Sequence, residues 1–76
     1  MSSSELLSLI VSLLVREHGG TPRRWRRAVG PIVVYSMETH AHCNWDVRSS
    51  GSVFEVASVE AMVDRVRATR PHVVAG

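Results

Sequence analysis

The chain is short of the features that most directly announce a function. It contains no lysine and a single cysteine, and its longest apolar stretch is repeatedly interrupted. One cysteine excludes an internal disulfide. An unpaired Cys43, with no recognisable secretory leader, leads us to expect a reducing, cytoplasmic setting. Leu6 to Val15 is the most apolar segment, but Ser8 and Ser12 break it, and it is far shorter than the ~20 residues a membrane-spanning helix needs. No membrane partner is expected. All nine basic residues are arginine, a usage that fits a GC-rich genome, since nothing in the physics of a small domain bars lysine from its surface. The formal net charge of +2 permits an anionic partner without demanding one, because only clustered charge makes a binding footprint.

Seventy-six residues allow one domain, spanning 1–76, with no internal repeat or low-complexity linker. A core of this size rarely supplies more than about 3–5 kcal/mol, and without disulfides the usual supplement is a metal or a second copy of the chain.

What is present reads as helix, short helical turn, β-hairpin and helix, an α+β fold of αββα order with both helices packed on one face of the hairpin. Ser2 and Glu5 have capping-box spacing, and Gly19-Gly20 supplies a stop, so a first helix lies between them. Its polar stripe, Ser8, Ser12 and Arg16, is narrow. The wide apolar remainder predicts self-association, most simply as a homodimer. Thr21-Pro22 reads as an N-cap with proline at the first helical position, starting one or two turns that Gly30-Pro31 ends. Ile32 to Met37, rich in β-branched and aromatic residues, and Cys43 to Arg48, which alternates, should pair as a hairpin. Ser52 and Glu55 repeat the capping-box spacing, so the last helix starts there, or else at Ser58 with Val53 to Val56 as a third strand. In that helix Val56, Val59, Met62, Val63 and Val66 share an inner face. Pro71 closes it, and residues 71–76 are expected to fray.

Three constellations carry candidate chemistry. In Thr39-His40-Ala41-His42-Cys43-Asn44-Trp45-Asp46, strand alternation puts His40, His42, Asn44, Asp46 and Arg48 on one polar face, available to a ligand or partner. Ala41, Cys43, Trp45 and Val47 take the other, with Trp45 as a core anchor. His40, His42 and Asp46 are residue types that zinc accepts, which makes metal binding the alternative use of this face. No paired CxxC or HxxxH spacing supports it, and Cys43 points away, so no metal or other cofactor is expected. A Cys43 nucleophile with His40 or His42 as its base fails on the same geometry. With no glycine-rich phosphate loop either, no catalytic role is expected.

The strongest charge signal is Arg23-Arg24-Trp25-Arg26-Arg27. As a helix it forms a compact basic ridge suited to phosphates, and its indole either anchors the turn in the core or stacks on a base. The sequence thus describes a small binding module without catalytic residues. Its surface is either the histidine face or the arginine ridge, the latter suited to weak, non-specific binding of nucleic acid or another polyanion.

Overall fold

Three hydroxyl side chains start the three helices of the fold. The computed structural model describes all 76 residues, with α1 at Ser3–His18, α2 at Pro22–Val29, β1 at Val33–Val34, β2 at Trp45–Asp46 and α3 at Val53–Thr69. Ser2 accepts from the Glu5 amide while the Glu5 carboxylate accepts from the Ser2 amide, completing the reciprocal box at the start of α1. Ser52 and Glu55 form the same box at α3, so Val53 to Val56 is helix and not a third strand. Thr21 caps α2 ahead of Pro22, and Gly30 ends it at φ 70°. The order and the α+β class are as expected, with the helices packed against the hairpin.

The hairpin is much shorter than the alternation suggested. Val33 pairs with Asp46 and Val34 with Trp45, antiparallel, and one further bond runs from the Tyr35 amide to the Asn44 carbonyl at 2.7 Å. Beyond it the chain leaves extended geometry. The amides of Thr39 and His40 both turn back to the Ser36 carbonyl, which makes the segment after Tyr35 a turn instead of a strand.

All three helices and the hairpin feed one core. Leu6, Ile10, Val11 and Leu14 come from α1, Trp25, Ala28 and Val29 from α2, Trp45 from β2, and Val59, Met62, Val63 and Val66 from α3. The thirteenth member is Val73, only 2% exposed. Residues 71–76, expected to fray, are instead packed back onto the domain through Val73. Burying Val73 is worth about 1.5–3 kcal/mol, and Val74 forms a parallel bridge with Ser2. The amides of Ser3 and Ser4 donate to the carbonyls of Val74 and Gly76, each at 2.8 Å. These partners lie more than 70 residues away in the chain, where no periodic pattern points to them.

The girth of α1 is also met from within. The helix packs on both α2 and α3, and Leu7, Leu9, Leu13 and Val15 are partly buried against the core. None of its side chains is among the exposed large apolar residues, which are Met1, Met37, Val53, Phe54 and Val74. The apolar surface that suggested a second copy is thus largely covered by the chain itself.

Candidate functional site

Helix α2 has two opposed faces, set by a step of 100° per residue. Trp25, Ala28 and Val29 fall on one side and are buried, while Arg23, Arg24, Arg26 and Arg27 fall on the other and are exposed. The Trp25 indole donates through Nε1 to the Gly19 carbonyl at 2.8 Å, and the residue has no exposed surface. Trp25 is a core anchor. It belongs to the scaffold that holds the ridge, and it is not a platform on which a base could stack.

The four guanidiniums are not equivalent. Arg24 Nε donates to Glu55 Oε2 at 2.9 Å, and its guanidinium carbon lies 5.2 Å from the Trp25 ring centre, within cation–π range. Arg26 reaches only the Ser8 hydroxyl, at 3.4 Å. Arg23, Arg26 and Arg27 have no acidic partner within ion-pair distance. Glu17, which could have answered the ridge, instead pairs with Arg65 at 2.7 Å.

Arg23, Arg24 and Arg27 line an open cleft of about 370 Å³ whose opposite wall is Ser50, Gly51 and Glu55. The Ser50 amide donates to the Ala28 carbonyl at 2.9 Å, which fixes that wall against the end of α2. Gly51 has φ 116°, and a Cβ there would lie 2.7 Å from Glu55 Oε1, so the Glu55 cap requires glycine at this position. The Ser52 amide and the Arg24 guanidinium hold the Glu55 carboxyl down from the ordinary 4.5 to about 2. The cleft therefore carries three positive charges against one negative charge.

The histidine face is only partly assembled: His40 and Asp46 line one open cleft with Tyr35, Cys43, Trp45 and Arg67, while Asn44 is withdrawn into the core. His40 stacks on Tyr35 with ring centres 4.3 Å apart and bonds Thr39 Oγ1 through Nδ1 at 2.9 Å. His42 is exposed, and Asp46 is tied to Arg67 at 2.9 Å. Arg48 is exposed and lies beside the end of α2, its carbonyl 3.8 Å from the site of a Gly30 Cβ. Asn44 is the largest departure: it is 2% exposed and wholly engaged with backbone. The expected alternation holds from Trp45 to Arg48 and fails at Asn44, because only Trp45 and Asp46 are strand and the chain before them is not extended. His40, His42 and Asp46 do not form a three-ligand cluster with one another or with any other His, Cys, Asp or Glu. Cys43 is half-buried and points its thiol at the Trp45 carbonyl, 3.4 Å away. Trp45 is a core anchor, as expected, and donates through Nε1 to the Arg70 carbonyl at 2.7 Å.

One feature escaped the sequence analysis. Phe54 is half-exposed and packs edge-on against His18, with ring centres 5.5 Å apart and planes at 86°. The helical step from the buried valines of α3 places residue 54 off their face, and this phase difference was the available signal. Compared with family models, with curated proteins and with solved structures, the chain matches none.

Proposed function

We propose that the protein is a small binding module for anionic polymers and that its working surface is the arginine face of α2. The observation that carries this reading is the pairing pattern: of four exposed guanidiniums on eight residues, only Arg24 is answered by an acid. The others stand on a helix whose opposite face is locked into the core by Trp25, Ala28 and Val29. Clustered charge on a rigid support is what raises local phosphate concentration, even in a protein of small net charge. A reducing, cytoplasmic setting belongs to this reading, on the strength of the single half-buried thiol.

Phosphate contacts alone carry no sequence information, so the binding is non-specific, with a dissociation constant of about 10⁻⁴–10⁻⁶ M at physiological salt. Fluorescence anisotropy of a labelled oligonucleotide across a salt series tests the proposal. With three or four phosphates neutralised, log affinity falls against log salt with a slope of about −2 to −4. Arg23→Ala/Arg27→Ala flattens that slope by nearly two and weakens binding. Affinity that ignores salt, or that survives the double substitution unchanged, overturns the reading.

A further inference from the structure

The exposed aromatic beside the arginine face deepens this reading and rests on it, because it bears on which anionic polymer fits. Phe54 is 53% exposed and Val53 is 88% exposed, although both begin a helix whose other large apolar residues face inward. Phe54 is nonetheless held in place. His18 meets it edge-on, and Trp25 lies 6.3 Å away between ring centres at 57°. Trp25 and His18 are themselves in contact at 5.6 Å, so three aromatic rings form one cluster with its buried end in the core and Phe54 at its open end.

Trp25 links this open end to the guanidiniums. Arg24 covers the Trp25 ring and bonds Glu55, the residue after Phe54. A ligand that suits both parts offers phosphates at the spacing of α2 and a flat apolar ring to Phe54. Duplex nucleic acid keeps its base faces stacked inside, and polyphosphate has no rings. A membrane surface answers the charge, but Val53 and Phe54 alone are a small insertion, and the apolar face of α3 is already consumed by the core.

We propose that Phe54, braced by His18 and Trp25 beside the arginines of α2, stacks on the bases of a single-stranded nucleic acid. Aromatic–base stacking tolerates any sequence, since every base has a π-face, which agrees with phosphate contacts that read none.

The test uses the full chain and four probes: labelled oligo(dT), the same strand in a duplex, inorganic polyphosphate, and phosphatidylserine vesicles. The single strand is expected to bind tighter than the duplex. Phe54→Leu, which keeps apolar bulk and removes the ring, should weaken single-strand binding by about fivefold or more. It should leave polyphosphate binding and the salt slope unchanged, since no charge is lost. Phe54→Tyr should restore single-strand affinity. Thermal midpoints of both variants, matched to the parent, show that folding is intact. Equal affinity of the parent and Phe54→Leu for oligo(dT) overturns the stacking inference, while continued Arg23/Arg27-dependent binding of polyphosphate leaves the polyanion reading standing. A Phe54→Leu loss seen on vesicles and not on oligo(dT) overturns it in favour of a membrane contact. Binding of none of the four probes at low salt overturns both.

Discussion

The side-chain amide of Asn44 pairs with both backbone polar groups of Val73: Nδ2 donates to the carbonyl at 2.8 Å, and Oδ1 accepts from the amide at 2.8 Å. Nδ2 also donates to the Tyr35 carbonyl at 3.2 Å, and the Asn44 amide donates to Pro71 at 3.1 Å. A single carboxamide thus does for the C-terminal segment what a neighbouring strand would do. Asn44→Ala strands the Val73 amide and carbonyl in the core, at about 1–3 kcal/mol for each unsatisfied group. A domain of this length has a total stability of about 4–11 kcal/mol. Urea unfolding should therefore show a loss of about 3 kcal/mol. Asn44→Asp should be worse, because it sets a carboxylate against two carbonyls. Hydrogen exchange at Val73, fast in both variants and slow in the parent, locates the defect.

Trp25 and the arginines around it should separate cleanly. Trp25→Ala empties a fully buried site and should cost about 3–5 kcal/mol, close to unfolding the domain. Arg23→Ala/Arg27→Ala removes two exposed side chains with no acidic partner and should change stability by no more than about 0.5 kcal/mol. Chemical denaturation of both variants, followed by the anisotropy assay on the folded one, assigns the indole to the scaffold and the guanidiniums to the surface. An unchanged midpoint for Trp25→Ala would contradict this division.

Acid should loosen the start of α3. The Glu55 carboxyl is held at about 2 in the folded protein against an ordinary 4.5, first by the Ser52 amide and then by Arg24. A depressed folded value means that the contribution is complete above about pH 4.5 and is lost as pH falls toward 2. Glu5 shifts in the same direction through the Ser2 amide. Urea midpoints measured from neutral pH downward should fall in that window. Glu55→Gln, which keeps an acceptor oxygen for the cap but loses the charge, should flatten the decline.

The same substitution should strengthen binding. Glu55 is the only acid lining the arginine cleft, and it occupies Arg24. Its neutralisation frees a further guanidinium, so Glu55→Gln should bind a labelled oligonucleotide more tightly and steepen the salt slope by about 0.7–0.9. Unchanged affinity would mean that Arg24 does not face the ligand.

Much of the architecture was legible because its causes are local. Ser2 with Glu5, Thr21 with Pro22, and Ser52 with Glu55 act within three residues of one another, and the three helices begin where those pairs stand. The burial of Trp45 followed from its bulk on an apolar face, whereas Trp25 was open to either a core or a stacking role until the fold buried it. The fate of Asn44 was hidden, since its partner lies 29 residues away and its side chain satisfies backbone that no pattern marks as buried. The polar face of the hairpin failed for a related reason. Alternation describes side chains only while the chain stays extended, and the carbonyl of Ser36 draws it into a turn before His40. The arginines of α2 are exposed, and the half-exposed ring that meets Trp25 is Phe54, supplied by a helix remote in sequence.

The parallel bridge between Ser2 and Val74 has a mechanical meaning. Because the two segments run in the same direction, force applied at Met1 and Gly76 acts along their pairing and does not peel it open one bond at a time. The bonds from the Val74 amide to Met1, from Ser3 to Val74 and from Ser4 to Gly76 share that load. The domain therefore resists stretching in shear until these contacts yield together. Asn44 ties Val73 to this clamp through both of its bonds to that residue.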